Sequence, residues 1–306
     1  MSRDERDERD DRALPRWRQR LGRLGIWVSG PAIDDGPGEL ARLVERLGYT
    51  GLWIGGGNPD PAAFSRLEAV LAATDRLVVA TGIANIWAWE PAAMVAQADR
   101  LVAAFPDRFV LGLGVSHAPV VAHLGRQYEQ PYAAMVAYLD SLDTADGTGG
   151  ERVPRLLAAL GPRMLQLSAA RSAGAHPYLT TPEHTTSARE TLGLHPLLAP
   201  EQALVLEEDA DVARRIGRSY LERYLRLPNY TTNLRRFGWT AHDIEDGGSD
   251  ALVDALVLHG SPDRVVDGVR AHFEAGADHV CIQPLAAAGG VDRHALELLA
   301  PSLEGG

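Results

Sequence analysis

The sequence predicts an α/β chain closed into a (β/α)8 barrel. Three observations predict it. Short apolar runs alternate with helix-period segments from Leu24 onward, several of those runs are apolar on both faces, and eight of them fit into roughly 280 ordered residues, about 35 per unit. Strands buried on both faces belong to a parallel sheet covered by helices. A doubly wound open sheet is the other architecture this pattern allows.

In chain order, 24–28 reads as the first buried strand and 39–47 as a helix closed by Gly48. The second strand, 51–54, runs into the loop Gly55-Gly56-Gly57-Asn58-Pro59. Residues 61–74 carry a helical period with proline near the first turn, and 77–83 form the third strand. Helix 91–105 leads to the fourth strand, 109–115. The second half reads as strand 155–160, helix 162–172, strand 175–179, helix 182–192 and strand 203–206, then a last strand at 279–285 with its helix at 292–299. The stretch 209–274 is longer than one helix needs and is expected to hold two or three helices inserted before the last strand. Residues 1–21 are expected to be a disordered charged tail, because Ser2 to Arg12 offers no apolar side chain to offset the entropy of ordering. That leaves 22–306 as a single barrel domain.

Composition narrows the function. Acidic residues number 41 against 30 basic ones, a net charge of −11, which argues against nucleic acid as a main partner. Every basic residue is arginine, so no Schiff-base lysine is available. Cys281 stands alone, which excludes an intrachain disulfide and a thiolate-rich metal site. No apolar run is long enough to span a bilayer, and the charged N-terminus is the opposite of a secretory signal. The expectation is a cytoplasmic protein with no membrane partner and no metal, acting on a small molecule. Neither Gly55-Gly56-Gly57 nor Gly112-Leu113-Gly114 opens a helix as G-x-G-x-x-G, so a nicotinamide site is not supported. P-loop, nucleophile-elbow and zinc-ligand spacings do not occur.

In a barrel, chemistry sits on the loops at the carboxyl ends of the strands. The third strand ends in Thr81-Gly82-Ile83-Ala84-Asn85, and Pro106-Asp107-Arg108-Phe109-Val110-Leu111-Gly112-Leu113-Gly114 follows an alanine-rich helix. With Leu160-Gly161-Pro162-Arg163-Met164, Gly174-Ala175-His176-Pro177-Tyr178 and Leu198-Ala199-Pro200-Glu201-Gln202, these blocks resemble the luciferase-like monooxygenase superfamily over about residues 22–300. Within it the chain is similar to the actinobacterial branch that uses the deazaflavin coenzyme F420.

That resemblance implies a bacterial luciferase-like barrel, often a homodimer, with a non-prolyl cis peptide at Gly82-Ile83 pressed against the cofactor ring. Thr81 and Asn85 would then hydrogen-bond near the ring's pyrimidine edge. Gly114 and Ser116, at the end of strand four, would also belong to the cofactor-binding set, and His176 would lie near the cofactor tail. Gly161-Pro162-Arg163-Met164 opens a helix, where free N–H groups and the macrodipole favour an anion such as the coenzyme's phosphodiester. His117, just past the fourth strand, falls where related deazaflavin dehydrogenases carry a proton donor, and an imidazole titrates near neutral pH. One departure is plain: Ile54-Gly55-Gly56-Gly57-Asn58 replaces the polar pair that ends strand two in the sugar-phosphate dehydrogenases, so a sugar phosphate is not the expected substrate. Trp87, Trp89, Tyr128, Tyr132, Tyr230 and Trp239 are candidates for an apolar wall, and 228–237 for a substrate-side cap.

The resulting expectation is hydride transfer between coenzyme F420 and a small carbonyl, alcohol or activated alkene. Two other readings stay open: an FMN-dependent monooxygenase served by a separate reductase, and a non-catalytic flavin-binding barrel.

Overall fold

A computed structural model of the protein describes residues 14–33, 36–56, 62–145 and 153–303. Strands β1 (Leu24–Ser29), β2 (Gly51–Gly56), β3 (Val78–Asn85), β4 (Phe109–Gly114), β5 (Arg155–Leu157) and β6 (Gly174–Ala175) lie side by side in sequence order. Next come β7 (Leu197–Leu198) and β8 (Glu201–Val205), which are two pieces of one extended run. One edge of that run bonds β6 (Leu197 N to Ala173 O, 2.8 Å; Ala199 N to Ala175 O, 2.9 Å). Its other edge accepts Cys281 N at Pro200 O (2.9 Å) from β10 (Val280–Pro284), which in turn pairs with β1. All the ladders are parallel, so the ring closes as the expected barrel.

Strand alternation sorts the core into two layers. Trp27, Trp53, Val78, Ala80, Val110 and Leu156 point into the lumen. Their neighbours Ile26, Val28, Leu52, Val79, Leu111 and Leu157 point outward to the helices. Those helices are α2 (Pro37–Arg46), α3 (Ala63–Ala72), α4 (Pro91–Ala104), α6 (Pro131–Ala145), α7 (Pro162–Arg171) and α8 (Pro182–Leu192), with α13 (Pro262–Glu274) and α14 (Arg293–Leu303) completing the shell. Two helices between strands four and five were not read from sequence, α6 and the short α5 (Ala118–His123).

The expected insertion is present and larger than anticipated. It comprises α9 (Ala210–Leu221), α10 (Pro228–Arg236), α11 (Ala241–Ile244) and α12 (Asp250–Leu256), then an unforeseen strand β9 (Val257–His259) that pairs with the far end of β8. Its own core, built on Tyr224, Tyr230, Leu234, Leu252 and Val253, seats it over the carboxyl end of the barrel with Leu179 and Leu285.

The tail boundary needs correction. Residues 1–13 lie outside the described residues, but Arg16–Leu21 form a helix, α1, whose Leu21 is fully buried against the lumen residues at the amino end. Thr50 Oγ1 donates to Leu21 O (2.5 Å), and Arg18 pairs with Asp278 (3.2 Å). Burial of one leucine under the barrel floor holds this helix, a tertiary cause with no local sequence signal.

Candidate active site

Strand β3 carries the first feature. Its register slips against both neighbours, between Ala80 and Ala84 on the β4 side and between Ile54 and Gly56 on the β2 side, which makes a bulge. At its crest Gly82 and Ile83 are half-buried while the rest of the strand is buried, and the Gly82-Ile83 peptide is cis, as the resemblance implied. Trp27 Nε1 donates to Gly82 O (3.1 Å) and Thr81 Oγ1 donates to Gly112 O (2.7 Å). Glycines on β4 make the room. A Cβ at Gly112 would lie 2.0 Å from Thr81 O, and one at Gly114 would lie 2.6 Å from Ile83 Cδ1.

Ser116, in the left-handed region at φ 56°, turns the chain from β4 into α5 and leaves His117 as the residue before the helix. His117 Nδ1 is 3.2 Å from Asn229 Oδ1, an atom that only accepts, so Nδ1 carries the proton and Nε2 is the basic nitrogen. Burial holds the imidazole below its ordinary pKa, against the hydrogen bond to Asn229, which raises it. The loop is braced by Tyr128 O–H to Ser116 O (3.2 Å) and Trp87 Nε1–H to Val115 O (2.8 Å).

The third feature is the start of α7. Gly161 precedes it in extended conformation, and Pro162 takes the first helical position. Met164 is half-buried against the core, its N–H bonded to Gly161 O (3.1 Å). Arg163 is exposed, its guanidinium 4.3 Å from the centre of the Tyr132 ring. A second arginine, not foreseen, joins it: Arg236 Nη1 would stand 3.5 Å from a Cβ at Gly161. The segment expected to be a cap forms α10, with Asn229 and Tyr230 meeting His117 at one end and Arg236 meeting the start of α7 at the other. A half-open platform on β3 and two guanidinium groups at a helix N-terminus fit a cofactor with a flat ring and an anionic tail.

Three assignments change. Asn85 is fully buried and its Oδ1 accepts Trp87 N–H (3.0 Å), so it shapes the loop and does not face the mouth. Thr81 is also buried, and its hydroxyl proton goes to Gly112 O, so it holds the bulge from behind. His176 is 1% exposed in the lumen, stacked 4.2 Å from Trp53 with Nδ1 2.7 Å from Ala199 O, and burial lowers its pKa to about 4. It is a histidine packed into the barrel lumen, and its Nδ1 bonds the main chain. Trp89 packs edge-on to Phe64 in the outer core, and Trp239 packs within the insertion. Gly57, Asn58 and Pro59 lie outside the described residues.

Sequence reasoning missed the opposite wall. A cavity of about 310 Å³ opens at the carboxyl ends of β1 and β10, lined by Trp27, Ile216, Tyr220, Arg223, Gln283 and Leu285 among others. Tyr178 O–H donates to Gln283 Oε1 (2.9 Å) and lies 2.9 Å from the hydroxyls of both Tyr220 and Tyr224. Arg223 Nη2 donates to Tyr224 (2.6 Å). Behind Tyr220 stands Glu201, 1% exposed, whose carboxylate accepts Leu179 N–H (3.2 Å). An acid heading the apolar run Glu201-Gln202-Ala203-Leu204-Val205 was the available signal.

The luciferase-like monooxygenase family profile matches residues 35–279. The chain belongs to the luciferase-like monooxygenase family. No curated protein matches it by sequence. Among solved structures, it is similar to an F420-dependent secondary alcohol dehydrogenase in complex with an F420–acetone adduct (TM-score 0.72, 15% identity, 92% of this chain and 99% of that one). It is also similar to the coenzyme F420-dependent tetrahydromethanopterin reductase of Methanopyrus kandleri (0.68, 19%, 91% and 97%). A third is the oxygenating constituent of 3,6-diketocamphane monooxygenase, from the CAM plasmid of Pseudomonas putida, in complex with FMN (0.68, 15%, 92% and 98%). At these identities the likeness establishes the barrel. Among the described residues of this family member, no helix is long and apolar enough to cross a membrane.

Proposed function

We propose that this luciferase-like protein is a deazaflavin oxidoreductase that moves a hydride between coenzyme F420 and a small organic carbonyl, alcohol or activated alkene. F420-binding and FMN-binding neighbours share the barrel, so the fold does not select the cofactor. The observation that carries the reading is the presence of two exposed cations by the start of α7, Arg163 on the helix and Arg236 beside Gly161, suited to a long acidic tail.

In this reading the crest of β3, Gly82 and Ile83, would hold the ring, with Gly114 and Ser116 shaping its edge. Gly161, Pro162, Arg163, Met164 and Arg236 would hold the tail. Bound there, the deazaflavin supplies two electrons as a hydride. The protein's own share is orientation, exclusion of water by α10, and management of the accompanying proton. His117 is the acid–base candidate beside the crest: Asn229 fixes the proton on Nδ1, leaving Nε2 to take a proton from an alcohol or return it to a carbonyl oxygen.

Parallel titration of the apoprotein with F420 and with FMN, followed by tryptophan fluorescence, tests the cofactor. Tight F420 binding that Arg236→Ala weakens about tenfold, with a salt-dependent loss, is the expected result. A preference for FMN would turn the reading to an oxygen-using monooxygenase. Binding of neither would favour the non-catalytic barrel.

A further inference from the structure

Glu201 is a carboxyl group fully inside the barrel, with no cation paired to it among the described residues. Such a group is expensive to bury as an anion and is normally kept neutral. Desolvation indeed lifts its pKa to about 8, against the stabilising hydrogen bonds from Leu179 N–H and Tyr220. Nothing in the cofactor site needs it. Its position explains itself only from the cavity side. Tyr220, which both reaches Glu201 and lines the cavity, has its hydroxyl 3.5 Å from Glu201 Oε1, at the outer limit of a hydrogen bond. From Tyr220 the hydroxyls continue to Tyr178 and on to Gln283 and to Tyr224 with Arg223, each link 2.9 Å or shorter. The cavity in turn adjoins the β3 crest through Trp27, which lines one and bonds the other.

We infer that Glu201 and Tyr220 form a proton relay into this cavity, with Tyr220 as the acid that protonates the oxygen of a small ketone or aldehyde bound there and Glu201 as the buried proton store that restores it. The inference deepens the hydride-transfer reading and rests on it for its reaction. Reduction of the carbonyl places a hydride from the deazaflavin on carbon, breaking the C=O π bond. The oxygen takes the Tyr220 proton, and the Tyr220 phenolate takes the proton of Glu201. The carboxylate left behind is reprotonated through Tyr220 by proton hops along the Tyr178 and Tyr224 hydroxyls from solvent water at the cavity rim, where Arg223 is exposed and stays charged. The substrate class follows from the walls: Tyr220, Gln283 and Arg223 present hydrogen-bonding groups to one end, while Trp27, Ile216 and Leu285 suit an apolar body. His117 is not among the residues lining this cavity.

The groups facing Glu201 are few. Cys281 stands beside it on β10, Tyr178 and Leu179 follow β6, Tyr220 comes from the end of α9, Tyr224 from the turn after it and Tyr230 from α10. None of the side chains among them is an acid or a base near neutral pH. The titration of the carboxyl is therefore readable on its own.

The test uses the whole apoprotein and infrared spectroscopy. The carbonyl stretch of a protonated buried carboxyl is expected in the wild type near neutral pH and absent from Glu201→Gln. On transfer to D2O the relay exchanges that proton quickly, and Tyr220→Phe is expected to slow the exchange about tenfold or more without altering backbone amide exchange. Relay function is overturned if the band survives in Glu201→Gln or if Tyr220→Phe exchanges at the wild-type rate. Should Glu201→Gln fail to fold, titration of the band in the wild type and its exchange in Tyr220→Phe decide the matter. Neither readout uses the cofactor, so a failure to bind F420 would sink the hydride reading and leave this result standing. Where a ketone is turned over, Tyr220→Phe is expected to lower kcat about a hundredfold with KM nearly unchanged.

Discussion

Replacing either glycine of β4 with alanine separates two ways of crowding the bulge. At Gly112 the new Cβ would meet the main-chain oxygen of Thr81 at 2.0 Å, against an ordinary contact of 3.4–4 Å. No rotamer relieves a backbone clash, so β3 and β4 must part by more than about 1 Å, and the Thr81 hydroxyl bond to Gly112 O goes with them. Overpacking of this kind costs about 1–3 kcal/mol, and the buried hydrogen bond adds about 1 kcal/mol. A total near 3 kcal/mol corresponds to a fall in Tm of roughly 5 °C for a chain of this size. At Gly114 the first obstacle is the Ile83 side chain, at 2.6 Å, which can turn aside. Gly114→Ala is therefore expected to cost about 1 kcal/mol and to act chiefly on the crest, weakening cofactor binding. Thermal unfolding of both variants, with F420 and FMN titrations of each, provides the comparison. If Gly112→Ala melts with the wild type, or Gly114→Ala melts below Gly112→Ala, the account of how β4 seats the bulge is wrong.

Three other outcomes follow from the geometry. The four buried histidines His176, His184, His272 and His279 have pKa values lowered by burial from 6.5 to about 4, so the unfolded chain binds protons that the native one refuses as pH falls between those values. Stability is present above about 6.5 and should fall by roughly 5 kcal/mol per pH unit where all four respond, a slope that urea titrations at several acidic pH values will show as proton uptake on unfolding. Arg189, 8% exposed, donates to Gly276 O, Gly193 O and Pro196 O and pairs with Asp278, so Arg189→Leu should cost about 3–5 kcal/mol by denaturant unfolding, since it takes the donor from three main-chain carbonyls and leaves Asp278 to Arg18 and Leu198 N–H. His117→Ala should leave F420 affinity within about threefold and lower the turnover of an alcohol at least about a hundredfold, read from steady-state kinetics, if Nε2 is the base.

Much of the barrel was legible because its strands are buried on both faces. β4, with Phe109 and Leu111 outward and Val110 inward, could hardly be anything else. α5 escaped because six residues are too few to show a period. α6 opens Pro131-Tyr132-Ala133-Ala134 and carries small side chains on both faces, which blurs its apolar stripe. The bulge and the glycine–proline start of α7 were recoverable because they are built from contiguous blocks. Arg236, by contrast, reaches Gly161 from another part of the chain, and only packing of the insertion brings them together. His176 illustrates a subtler failure. Ala175 faces the helices with Leu198, so strand alternation alone sends the next side chain into the lumen, yet its place in a familiar block outweighed that rule.

Two groups on different walls can each deliver the one proton that a hydride requires, and their arrangement says how to tell them apart. His117 sits on the β4 side under α10, in contact with Asn229 and Tyr230, whereas Tyr220 faces the cavity between β1 and β10. Tyr178 and Tyr230 stand between them, ring centres 6.3 Å apart, with Tyr224 5.4 Å from each. A substrate oxygen directed at the cavity can take a proton from Tyr220, and one directed at α5 can take it from His117. If both routes serve the same oxygen, either single variant leaves the other route open, and the double variant loses far more than the product of the single losses. If only one route serves it, that variant carries the whole loss and adding the second changes little. Non-additivity between the two variants reports that both walls serve the oxygen, and where it is absent the single variant that carries the loss names the wall the carbonyl faces.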